Sequence, residues 1–292
     1  MPVPPLPLLF AAVWAADYAG APACGKCHPA EFALQSKSAH AHSLAKSVPP
    51  QPGDWAFGAG EQAITFVTRL DSEYYLEEGQ SWYKRLNGYA PTPGAVSLEG
   101  TRYRIFDPAA GILRCFSCHS TGPVTLAADL AVVPHETGVR CETCHGPGAA
   151  HARDPVHVRP VNPGKLPAAR LNERCGNCHR MPAGPTETPD LRNPWNMRHQ
   201  PLLLAASACF QRSQGRLTCL TCHDPHAPLE HHITSYDRAC VKCHAASKHS
   251  QPVAGQPCVE CHTPTVKPTS NLAFANHRIA VYGTTDPLTP IH

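Results

Sequence analysis

Apolar and polar positions alternate at a period near two in one part of the chain. Ile64–Leu70 (ITFVTRL), Tyr74–Glu78 (YYLEE), Ser81–Leu86 (SWYKRL) and Thr101–Phe106 (TRYRIF) are rich in β-branched and aromatic residues and are separated by Gly and Pro. That pattern predicts an antiparallel unit of about four strands. Helical patterning is expected over Pro29–Lys46 and again through residues 197–216, MRHQPLLLAASACFQRSQGR. Residues 1–16, MPVPPLPLLFAAVWAA, are apolar, and Val13 and Ala15 have signal-peptidase spacing, although no Lys or Arg precedes them. They read as a signal peptide. Their prolines and short length argue against a membrane span, and no other stretch is a candidate for one.

Superimposed on this pattern is a five-residue unit, C-x-x-C-H, present seven times: CGKCH, CFSCH, CETCH, CGNCH, CLTCH, CVKCH and CVECH. It consumes fourteen of the fifteen cysteines. Zinc ribbons and a disulfide framework both use paired cysteines, but neither requires histidine directly after the second one. With 19 histidines in 292 residues, seven such coincidences have a chance on the order of 10⁻⁸. The unit is the attachment signature of c-type haem: two sulfurs form thioethers to the porphyrin, and the adjoining imidazole ligates the iron. The attachment residues are Cys24 and Cys27, Cys115 and Cys118, Cys141 and Cys144, Cys175 and Cys178, Cys219 and Cys222, Cys240 and Cys243, and Cys258 and Cys261. The proximal ligands are His28, His119, His145, His179, His223, His244 and His262. Cys209 is left over and reads as a buried free thiol.

Seven haems leave about 42 residues for each macrocycle, so the cofactors form much of the core. Charged residues are sparse at 16%, and Pro and Gly number 32 and 20. The expected fold is mostly α with extensive loops: a compact multihaem cytochrome c fold built round stacked haems, with a small antiparallel β insert. The formal charge of +3 becomes roughly −4 once seven ferric haems with ionised propionates are counted. No basic stripe survives to suggest a nucleic-acid partner.

Several strings resemble the cytochrome c-554 family of multihaem proteins: CGKCHPAEFALQSKSAHA at the first motif, CETCHGPGAAH at the third, VNPGKLPAARLNERCGNCHR at the fourth, CLTCHDPH at the fifth and CVECHTPTVKPTSNLAFANHRI at the last. The resemblance covers about three quarters of the chain. It implies distal iron ligands at His40, His151 and His277. His226 stands three residues after His223, too close to reach the far face of its own haem, so it serves a neighbour. His42 and His135 are further distal candidates by type, as is His157. The last motif departs from the family pattern, with Thr263 after its histidine. His231, His232 and His249 therefore compete for one iron of that cluster.

The resulting organisation is a signal peptide (1–16), a first haem segment (17–50), a β-rich haemless insert (51–114), haems two to four (115–182), a linker and helix (183–218) and a cluster of haems five to seven (219–292). Twelve histidines remain after the proximal set, enough to close every iron. The expected function is electron transfer between redox partner proteins by a periplasmic or extracellular heptahaem cytochrome. Two alternatives stand beside it: a reductase or oxidase of a small nitrogen or sulfur compound at one five-coordinate haem, and a self-associating subunit of an extracellular filament or conduit.

Overall fold

The computed structural model describes residues 17–95, 97–107, 111–184, 187, 190, 192–244 and 256–291. The expected signal peptide and His249 lie outside the described residues. The chain divides into two compact units, the first formed by residues up to 83, 87–162 and 226–228, the second by 84–86, 163–225 and 229–292.

Unit one is organised by a six-stranded antiparallel sheet: β1 (Leu44–Lys46), β2 (Trp55–Phe57), β3 (Ala63–Arg69), β4 (Tyr74–Tyr83), β5 (Gly88–Pro91) and β6 (Thr101–Arg104). The order runs β1 to β5, and β4 is long enough to pair twice. Its first half (Tyr74–Glu77) meets β6 and its second (Gln80–Tyr83) meets β5. The apolar face covers a helix, Ile112–His119, that carries the second C-x-x-C-H unit. Phe116 from inside that motif is fully buried among Trp55, Phe57, Tyr75 and Val132. A hairpin of β7 (Ser120–Leu126) and β8 (Val132–Thr137) follows, and the Tyr75 hydroxyl accepts the buried Val132 N–H at 2.9 Å.

The helix expected over Pro29–Lys46 stops at Gln35. Ser38 competes for the backbone there: its hydroxyl donates to the Gln35 carbonyl at 2.7 Å and accepts from the Ala41 N–H at 3.2 Å, closing a turn. Gly138 lets that turn approach. At φ 79° it is left-handed, and a Cβ would run into the Ala41 carbonyl.

Unit two contains the longest helix among the described residues, Ala168–His179, several short helices, and a hairpin of β9 (Thr265–Thr269) and β10 (Leu272–Ala275). The helix expected near residues 197–216 is split into Gln200–Ala205 and Ala208–Arg212. Its apolar core cluster is small, with Met197, Leu203 and Val266 buried. Four of the seven motifs lie in this unit.

The expected mostly α fold is corrected by this architecture. Among the described residues, helix accounts for 30% and strand for 22%, and the strands form three antiparallel sheets of six, two and two strands. The physical reason is that a C-x-x-C-H unit needs only one helical turn. Five-residue helices such as Cys141–His145 and Cys258–His262 suffice. No helix among the described residues is long and apolar enough to cross a membrane.

Candidate haem centres

Each motif closes a single turn. His28, His223 and His244 donate their backbone N–H to the first cysteine of their own motif at 2.9, 3.1 and 2.9 Å. One turn of this kind sets both sulfurs and the imidazole on one side of the backbone, since positions three and four apart are neighbours on a helix. None of the fifteen cysteines is paired in a disulfide. No three His, Cys, Asp or Glu side chains among the described residues converge as a metal site of their own.

The histidines, by contrast, face one another in pairs. The ring centroids of His28 and His151 are 6.4 Å apart at 29°, those of His145 and His226 6.0 Å at 22°, and those of His223 and His277 6.2 Å at 30°. Rings in contact would stand about 3.5–4 Å apart. Two metal–imidazole bonds of about 2 Å, plus about 1 Å from each nitrogen to its ring centre, give ~6 Å. The gap therefore fits an iron ligated from both faces.

Backbone carbonyls fix the rings in the tautomer this needs. The Nδ1 of His145 meets the Val161 carbonyl at 2.8 Å, that of His151 the Val158 carbonyl at 2.7 Å, and that of His277 the Ala275 carbonyl at 3.0 Å. His119 and His262 are held in the same way by Ser43 and Ala280, at 2.9 and 2.8 Å. A carbonyl only accepts, so Nδ1 carries the proton and Nε2 keeps its lone pair for a metal. Burial lowers the pKa of His119 and His223, and pushes His277 down to about 4, with His223 and His179 adding to the effect. The rings are neutral at neutral pH, as ligation requires.

The other candidates stand elsewhere. His40 and His42 are exposed and lie in the turn before β1. His135 packs its ring 5.2 Å from that of Tyr18. His157 is engaged by Asp154 at 3.1 Å. His231 and His232 are exposed. Cys209 is half-buried, its thiol pKa raised by burial.

Sequence reasoning passed over the residues that hold these centres in place. Ser207, at the break between two short helices, donates to the His277 carbonyl at 3.2 Å and accepts from Ile279 at 2.8 Å. Asn276, fully buried, donates to the Tyr282 hydroxyl and the Pro287 carbonyl at 3.0 and 2.9 Å. His199 was also unflagged. Its Nδ1 is buried without a hydrogen bond, and burial lowers its pKa.

Six of the seven first cysteines also come together in twos: the thiol of Cys24 lies against Cys141, Cys175 against Cys219, and Cys240 against Cys258. Polar side chains bracket each pair. Glu142, 3% exposed, accepts backbone N–H groups from Ala19, Gly20 and Gly148 at 2.8, 2.8 and 2.6 Å. Glu136 accepts from Ala21 at 3.1 Å, and its carboxyl pKa is raised by burial. Asn172 Oδ1 accepts from the Cys219 N–H at 3.1 Å, and Asp237 Oδ1 from the Cys258 N–H at 2.8 Å. Their sequence signal is a capping-type residue three positions before a motif. Glu142→Ala leaves three N–H groups unpaired and is expected to cost about 3 kcal/mol of holoprotein stability. Chemical denaturation of the two proteins checks this, with Glu142→Gln expected to fall between them.

Residues 99–146 match the family model described as cytochrome c554 and c-prime. The structure is similar to the crystal structure of outer cell wall cytochrome OcwA, with a TM-score of 0.56 and 18% identity over 90% of this chain and 79% of that one. It also aligns with an undecaheme cytochrome from the S-layer of Carboxydothermus ferrireducens, at a TM-score of 0.49 and 16% identity, over 85% of this chain and 44% of the longer one. No curated protein matches by sequence.

Proposed function

We propose that this chain, a multihaem c-type cytochrome by its motifs, its family-model match and its fold, is an exported electron carrier. It holds seven covalent haems and relays electrons between redox partner proteins through mostly bis-histidine irons. The observation that carries the reading is the set of three imidazole pairs at 6.0–6.4 Å. An iron closed on both faces has no seat for a substrate, and bis-histidine ligation without methionine favours low potential. Met197 is buried in the apolar core, and Met181 packs on Gly176. Bound haem supplies one-electron exchange between ferric and ferrous iron. The cysteines would hold the ring and the imidazoles the metal, and the carbonyls on Nδ1 fix the orientation of His119, His145, His151, His262 and His277. Export is supported by the outer cell wall location in the name of one structural neighbour, and by the apolar start of the sequence.

A second reading has one observation in its favour. The ring of His119 meets that of Phe57 edge-on, at 5.3 Å and 71°. An open iron at that motif would suit reduction or oxidation of a small nitrogen or sulfur compound.

Electron paramagnetic resonance of the oxidised protein, with haem counting by mass spectrometry on the same sample, tests both. Seven covalent haems with low-spin signals alone are the expected result. A stoichiometric high-spin signal moves the conclusion to the second reading, to be followed with nitrite, nitric oxide and hydroxylamine as ligands. Fewer than seven haems overturns the count.

A further inference from the structure

Two of the thiol pairs are built alike. Asn172 stands three residues before Cys175 and accepts the backbone N–H of Cys219, the first cysteine of the partner motif, at 3.1 Å; its Oδ1 is also 3.3 Å from the Cys219 sulfur. Asp237 stands three residues before Cys240 and accepts the backbone N–H of Cys258, again the first cysteine of the partner, at 2.8 Å; its carboxylate also touches the Cys258 sulfur. In both cases the two first cysteines lie against each other. The corresponding positions before the other five motifs are Ala21, Ile112, Gly138, Arg216 and Gly255, none of which can supply this acceptor from its side chain's neutral or negative oxygen.

We infer that Asn172 and Asp237 are equivalent positioning residues that lock the fifth haem to the fourth and the seventh to the sixth, and that their difference in charge sets the second pair at lower potential than the first. The inference rests on the haem reading of the four motifs in unit two. The two acceptor oxygens occupy the same place relative to the partner motif, so shape and hydrogen bonding are matched. Charge is what differs. A carboxylate beside the thioethers stabilises ferric iron, which carries one more positive charge than ferrous, and so lowers the potential; a neutral amide does not. Bound haems would thus be ordered so that the pair at Cys240 and Cys258 donates to the pair at Cys175 and Cys219.

Spectroelectrochemical titration of the holoprotein, beside the isosteric variants Asp237→Asn and Asn172→Asp, tests this. Both variants keep the oxygen that caps the partner motif. Asp237→Asn is expected to raise the midpoint of at least one haem by a tenfold change in its reduced-to-oxidised ratio, 59 mV for a one-electron couple. Asn172→Asp is expected to lower one by a similar factor, and the double exchange to reverse the order of the two pairs. A structural role alone would leave the midpoints in place. Unchanged midpoints in variants that retain all seven haems overturn the inference and leave the haem reading intact. A wild-type protein without covalent haem at these four motifs overturns the reading beneath it.

Discussion

Replacing His277 with alanine is expected to turn one iron from low-spin to high-spin while the covalent haem count is unchanged. The ring of His277 lies 6.2 Å from that of His223, which belongs to the fifth motif. The imidazole is the only part of the loop the substitution removes. The backbone around it is held independently by Ser207, through the His277 carbonyl and the Ile279 N–H. Asn276 accepts from Arg278 at 3.0 Å and donates to Tyr282 and Pro287. Loss of the ring should therefore open a coordination position without collapsing its surroundings. Added imidazole should restore the low-spin signal by filling that position, which a general unfolding of the loop would not allow. An unchanged paramagnetic spectrum in the variant removes His277 from the ligands.

What could be read from the sequence was set by how local the chemistry is. A C-x-x-C-H unit is complete within five residues and one turn, so attachment and proximal ligand are written together. A distal imidazole is not local. His151 stands after the third motif yet faces His28 of the first, and His277 stands after the seventh yet faces His223 of the fifth. Only the chain's three-dimensional course determines such partners, and spacing carries little of it. The fold was misjudged for a related reason. β1 and β2 are three residues each, too short to display a period of two, and β8 and β9 contain Pro134 and Pro268. Proline counts against a strand in sequence reading, but each of these lies in a two-stranded sheet, where an edge tolerates it. The positioning residues escaped notice because Asn172, Asp237, Ser207 and Asn276 act through backbone groups far away in sequence.

Phe116→Ala is expected to cost about 3–5 kcal/mol, the range for truncating a large buried aromatic. Phe116 occupies one of the two variable positions of the second motif, where haem attachment makes no demand on the side chain. The sheet makes a strong one. The ring has no solvent exposure and meets Trp55 edge-on at 5.1 Å and 88°, Phe57 at 5.0 Å and 80°, and Tyr75 at 6.3 Å and 74°. Such pairs add about 0.5–1.5 kcal/mol beyond burial. The motif is thus fastened to the sheet through a residue that the attachment signature leaves free. Phe116→Leu, which keeps most of the volume but not the ring edges, should cost less than half as much. Guanidinium denaturation followed by circular dichroism, on holoproteins of confirmed haem content, separates the two variants. Haem content should be the same in both, since Cys115, Cys118 and His119 are untouched. A cost below about 1 kcal/mol for Phe116→Ala would mean that the sheet and the second motif are held together by the bound haem rather than by this side chain.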